Sequence, residues 1–122
     1  MKERSLLIAT FNKGKLQELR QLLAELPFVI SDLEGLSSIQ PIAEHGETFV
    51  ENASLKATGY AKQTGLLTLA DDSGLQVNAL NGAPGVLSAR FAPEGASDTE
   101  RTTRLLTELS HVLGRARAAR FV

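Results

Sequence analysis

Two adjacent acids, Asp71 and Asp72, follow the apolar run Leu66-Leu67-Thr68-Leu69-Ala70 and precede Ser73-Gly74. Like charges side by side at the mouth of a strand repel. A fold keeps them there mainly where a cation or a proton transfer uses the charge. A third acid, Glu44, and a lysine, Lys56, lie upstream. Magnesium prefers oxygen donors, takes one or two carboxylates, and completes its shell with water and phosphate oxygens. A further carboxylate near the metal can take a proton from an attacking water. Glu44, Asp71 and Asp72 are therefore the candidate metal set. The competing explanation for Asp71 to Gly74 is a tight turn, where Asp, Ser and Gly are all favoured.

The complementary cations come from two places. Thr10-Phe11-Asn12-Lys13-Gly14-Lys15 lies between a short apolar run, Ser5 to Ala9, and a helical leucine pattern. In open α/β sheets ligands bind there, beside the carboxyl ends of strands and the free N–H groups of a helix start. Gly14 permits close approach and the two lysines add charge, although a solvated basic turn has the same composition. The P-loop spacing is absent. Lys56 falls between Phe49, Asn52 and Tyr60 on the inward side of its helix. A lysine there must snorkel, pair with an acid or meet a ligand phosphate.

Elements of both periodicities must position these groups. Ser5 to Ala9 reads as a buried strand. Leu16, Leu19, Leu22, Leu23 and Leu26 predict a helix stopped by Pro27, and Phe28 to Leu33 a second strand. Thr48 and Glu51 fit a capping box opening a helix with Phe49, Ala53, Ala57, Tyr60 and Ala61 on its apolar face and Gly65 at its end. That capping also accounts for Glu47 and Glu51. Leu66 to Ala70 predicts a strand, and Leu75, Val77 and Ala79 alternate like another. Asn81 to Gly85 reads as a turn. Ser97 to Glu100 is a second capping box, and Leu105 to Leu113 extend that last helix to Gly114. Arg117 to Val122 has the pattern of a strand's first residues. Strands alternating with helices indicate an α/β layered fold.

The 122 residues suffice for one domain burying roughly two thirds of its unfolded surface. A formal net charge of −1 gives no basic surface for nucleic acid or anionic membrane. The chain has no cysteine, which excludes disulfides and thiolate metal sites. Only a short apolar run follows Met1-Lys2-Glu3-Arg4, too short for a signal peptide or membrane span, and a cytoplasmic protein is expected. Arg90 fits a structural ion pair better than a ligand contact. His45 and His111 lack metal-ligand spacing, and His111 is expected near the end of the last helix. Arg115, Arg117 and Arg120 form a small basic surface patch. No Ser-His-Asp arrangement emerges. A phosphorelay receiver, which wants its paired acids after the first strand, is excluded because Thr10 to Lys15 stand there.

The chain closely resembles the N-terminal part of the inosine/xanthosine triphosphate pyrophosphatases, through essentially all 122 residues. Four motifs in order carry the resemblance. They are Thr10-x-Asn12-x-x-Lys15, Glu44-x-Gly46-x-Thr48-Phe49-x-Glu51-Asn52-Ala53-x-x-Lys56-Ala57, Ala70-Asp71-Asp72-Ser73-Gly74-Leu75, and Gly82-x-Pro84-Gly85-x-x-Ser88-Ala89-Arg90-Phe91. The resemblance implies a layered mixed sheet flanked by helices. It also implies magnesium-dependent hydrolysis of ITP, dITP and XTP to monophosphate and pyrophosphate. Thr10, Phe11, Asn12, Lys13, Gly14 and Lys15 would then cradle the triphosphate, with Lys56 neutralising it and Ser73 contacting substrate. Glu44, Asp71 and Asp72 would hold magnesium, and Asp72 would act as general base. A homodimer is implied for the complete protein.

In that family the chain continues past the point matching Val122. The later part supplies an aromatic, glycine- and aspartate-containing loop, another lysine and a Ser-His-Arg motif that read the base. The expectation is therefore a single pyrophosphatase domain, residues 1–122, incomplete at its C-terminus. The alternative is a catalytically impaired module that binds nucleotide and metal.

Overall fold

The computed structural model describes residues 4–92 and 96–122. Met1 to Glu3, where the leader argument begins, lie outside the described residues. The chain divides into two compact units, Met1–Asp72 and Ser73–Val122.

In the first unit, β1 (Arg4–Ile8) lies between β2 (Phe28–Asp32) and β3 (Leu67–Leu69), parallel to both. A central parallel strand is covered on both faces and reads as a continuous apolar run. Leu6, Leu7, Ile8 and Ala9 are accordingly all buried. Leu7, Ala9, Leu33 and Tyr60 form the core, with Leu36, Ile39, Ile42, Leu66 and Ala70 packed around it.

The first helix, α1 (Lys13–Leu22), is shorter than its leucine ladder predicts. It ends at Leu23 (φ −98°, ψ 2°), and a tightened turn carries the chain to β2, with Leu26 N–H donating to the Leu23 carbonyl. Pro27 disfavours helical backbone in the residue before it, so the helix unwinds ahead of the proline. The first helical turn, conversely, begins earlier than expected. Lys13, Gly14 and Lys15 belong to α1 itself rather than to a connection.

The next helix, α2 (Phe49–Thr64), starts and stops as its sequence signals require. The Thr48 hydroxyl accepts from the Glu51 N–H, and Gly65 takes the left-handed conformation (φ 71°) that ends the helix. The second half of the capping box is shifted: the Glu51 carboxylate accepts from Glu47 N–H rather than from that of Thr48.

In the second unit, β4 (Leu75–Val77) pairs antiparallel with β5 (Ala119–Phe121), so the expected strand start near the end of the chain does form a strand. Ala79 leaves the alternating pattern and enters a 3-10 turn, Asn78–Leu80. The Ser88 hydroxyl accepts from Leu75 N–H and donates to the Gly85 carbonyl, which gives the serine of the fourth motif a structural task.

The last helix, α3 (Asp98–Glu108), opens with the complete capping box at Ser97 and Glu100. It stops at Leu109, short of the expected Gly114, so His111 lies beyond it. The reason is Arg117. Its guanidinium donates to the Leu109 and Val112 carbonyls, satisfying acceptors that another helical turn would have used.

One ion pair ties α1 to β2. The Asp32 carboxylate accepts from Gly35 N–H and from the Arg20 guanidinium, both at 2.8 Å. The Gly35 N–H above all holds its carboxyl below the ordinary range; burial is the next effect and opposes it, and the Arg20 guanidinium adds to the lowering. Its contribution to stability is therefore complete above the unfolded value of about 3.9 and is lost as pH falls through the lower folded value. The urea midpoint of Asp32→Asn should lie below the parent's near neutrality by about 0.5–1 kcal/mol equivalent. That gap should close below pH of about 4. A gap that stays constant down to pH of about 2.5 would refute the assignment.

Candidate functional site

Parallel pairing fixes where the site lies in the first unit. Ile8 stands opposite Leu69, and Ala9 N–H donates to the Leu69 carbonyl at 2.8 Å. The residues after β1 and those after β3 therefore emerge at one edge of the sheet, the carboxyl ends of its strands.

The segment after β1 is held by its own side chains. The Thr10 hydroxyl accepts from Asn12 N–H, and the Asn12 side chain accepts from Lys15 N–H, both at 3.1 Å, capping α1. Glycine at position 14 leaves that cap uncrowded, since a Cβ there would sit 3.3 Å from Asn12 Oδ1. Thr10, Asn12 and Gly14 thus build the helix start, and their spacing has a structural cause independent of any ligand. Phe11 is half-exposed and packs edge-on against Tyr60. Lys13 is exposed.

Lys15 reaches across to the end of β3, where its Nζ lies 3.0 Å from Asp71 Oδ2. Lys56, one side of α2 away, meets the same residue differently. Its Nζ donates to the Asp71 main-chain carbonyl at 2.5 Å and lies 3.3 Å from Glu44 Oε1. The Lys56 side chain is only 13% exposed, so the inward placement predicted from helical spacing holds, and pairing with an acid is what resolves it. Glu44, Lys56, Asp71 and Lys15 form one chain of alternating charge.

Two features of this region were not legible beforehand. Asn52, one turn before Lys56, is wholly buried and its Oδ1 accepts from Gly46 N–H at 2.7 Å, locking the loop that carries Glu44. Gly59 lies against Ile42, where a Cβ would come within 2.5 Å of Cδ1. The only available signal was the small residues on the face of α2 toward that loop, and nothing in the sequence identified their partners.

Asp72 differs from its neighbour. Its Oδ2 is buried with no hydrogen-bond partner among the described residues. Ser73 is the first residue of the second unit. Among the described residues no three His, Asp or Glu side chains converge on one point as a metal cage. The donor set nonetheless fits a magnesium ion, which takes one or two protein carboxylates and leaves the rest to water and phosphate. An orphaned buried carboxylate oxygen beside a lysine-neutralised one is what such an ion would complete. A cleft of about 320 Å³ adjoins the Lys15–Asp71 pair, lined also by Glu18, Leu19, Leu22, Leu69 and Ala70.

The Ham1 family model matches residues 6–122. The chain belongs to the Ham1 family. Among Ham1 relatives, the dITP/XTP pyrophosphatase of Geobacter sulfurreducens is 49% identical over 116 residues, which cover 95% of this chain and 58% of that protein. The dITP/XTP pyrophosphatase of Vibrio vulnificus is 47% identical over 119 residues, 97% of this chain and 58% of the relative. A solved HAM1 protein from Coxiella burnetii superposes with a TM-score of 0.84 at 44% identity, over 97% of this chain and 59% of that structure. The α/β fold is thus that of the Ham1 proteins, and this chain spans somewhat over half the length of the relatives it matches.

Proposed function

We propose that the complete Ham1 protein hydrolyses the noncanonical purine nucleotides ITP, dITP and XTP to monophosphate and pyrophosphate with magnesium, cleansing the nucleotide pool. The observation that carries this reading is the convergence of Lys15, Lys56, Glu44 and Asp71 at the carboxyl ends of β1 and β3. Relatives identical to this chain at nearly half of the aligned positions bear the name dITP/XTP pyrophosphatase. The reading carries with it a cytoplasmic homodimer whose substrates are free nucleotides rather than nucleic acid or a membrane.

The chemistry follows from the residue types. Lys15, Lys56 and the N–H groups at the start of α1 bind the triphosphate as an anion. Asp72 takes the proton of the water that attacks the α-phosphorus. The electron pair of the broken bond passes to the bridging oxygen, and pyrophosphate departs. A magnesium ion held by Asp71, Asp72 and Glu44 would supply the charge that stabilises this leaving group. Lys15 and Lys56 add to that stabilisation from fixed positions.

The test is product identity. Phosphorus NMR of dITP incubated with protein and magnesium should show pyrophosphate and dIMP in equal amounts. Orthophosphate with dIDP would overturn the reading. The competing outcome of the same test is a nucleotide-binding module without turnover. It predicts saturable nucleotide binding with no product.

A further inference from the structure

The geometry points to Lys15 as a stand-in for the divalent cation: it neutralises Asp71 in the protein without metal and is freed for phosphate only when that carboxylate is taken. The inference deepens the reading above and rests on it. Three observations carry it.

First, Lys15 Nζ sits 3.0 Å from Asp71 Oδ2, an oxygen of a carboxylate in the proposed metal set. An ammonium group and a divalent ion cannot share that position. Second, the two lysines use Asp71 differently. Lys56 takes the main-chain carbonyl and Glu44, leaving the Asp71 side chain to Lys15 alone among the described residues. Competition for the Asp71 carboxylate therefore falls on one lysine. Third, the Lys15 backbone is anchored independently, its N–H donating to the Asn12 side chain. The side chain can leave Asp71 without disturbing α1, and it then projects from the helix start where an anion is favoured.

Phosphate and metal are thereby made to arrive together. With no anion present, releasing Lys15 leaves its charge without a partner, so metal binding is weakened. With an anionic ligand the released lysine has a new partner. Asp71 is 49% exposed and Lys15 25%, so solvent screens the pair and the competition amounts to a fewfold effect.

Manganese titration by calorimetry, without nucleotide, tests this apart from turnover. Lys15→Met should bind manganese about two- to fivefold more tightly than the parent. Lys15→Arg, which keeps a cation on Asp71, should stay near the parent value. Lys13→Met removes an equal charge from the same helix turn but no carboxylate contact, and should gain less than half as much. Unchanged or weakened binding in Lys15→Met, with the parent binding normally, would overturn the inference while leaving the pyrophosphatase reading intact. An equal gain in Lys13→Met would overturn it as well, by reducing it to a general field. If neither parent nor variants bind manganese at millimolar concentration, the inference and the metal-dependent reading beneath it both fall.

Discussion

Asp72→Asn should lower pyrophosphate release from dITP by about 10² to 10⁴, the range a positioned general base contributes. Among the acids of the site, Asp72 is the one whose carboxylate engages neither Lys15 nor Lys56. Its Oδ2 is buried and accepts no hydrogen bond among the described residues. Asparagine matches its shape and cannot accept the proton. The same change exchanges a buried, unpartnered carboxylate oxygen for part of a neutral amide, whose burial costs less than that of a charge. Turnover should therefore collapse while the urea midpoint holds or rises, the trade expected of a site strained for function. Turnover within tenfold of the parent would remove Asp72 from the role of base.

Gly46→Ala should destabilise the protein by about 2–5 kcal/mol. A Cβ at Gly46 would fall 2.7 Å from both Asn52 Oδ1 and Glu51 Cβ, and 3.2 Å from Asn52 N. The last two atoms belong to the first turn of α2 and cannot swing away. Relief requires moving the loop, and with it the Gly46 N–H that satisfies Asn52 Oδ1. Among the described residues Asn52 Nδ2 already lacks a partner, so the amide would then be unsatisfied at both ends. The contrast is Gly114, where a Cβ meets nothing within 4 Å and Gly114→Ala should stay within about 0.5 kcal/mol of the parent. Chemical denaturation of both variants gives the comparison. A Gly46→Ala protein within about 1 kcal/mol of the parent would mean the loop relaxes freely. Because that loop carries Glu44, the surviving folded fraction should also show weakened metal binding.

What the sequence made legible was mostly local. The cap residues Thr48 and Ser97 and the stop at Gly65 act through neighbours within a turn, and the structure places all three as their types require. The strand at Ser5 to Ala9 announced its burial through the apolar run from Leu6 to Ala9. The ends of α1 and α3 were misjudged for a shared reason, that leucine periodicity continues where the backbone does not. At α1 the proline acts several residues ahead of itself. At α3 the deciding group is Arg117, which a sequence reading assigns to the surface because its target is a set of carbonyls. In the site, helical spacing turned Lys56 inward and left three partners open. Choosing Glu44 and the Asp71 carbonyl required the packing of α2 against β3 and of the loop before it, a tertiary fact absent from any local pattern. Thr10 and Asn12 show the converse case. Their motif helps carry the resemblance to the pyrophosphatases, yet in the structure their side chains first of all shape a helix start.

The bond from Lys56 to the main-chain carbonyl of Asp71 has a consequence for how this site tolerates change. Every amino acid at position 71 presents that carbonyl, so Lys56 is docked on an address that no substitution there can erase. An inherited or engineered loss of the Asp71 carboxylate would release Lys15 while leaving Lys56 in register with the end of β3. The two lysines are thus exposed to mutation unequally. One depends on a side chain that drift can remove, and the other keeps a contact to the backbone besides its pair with Glu44.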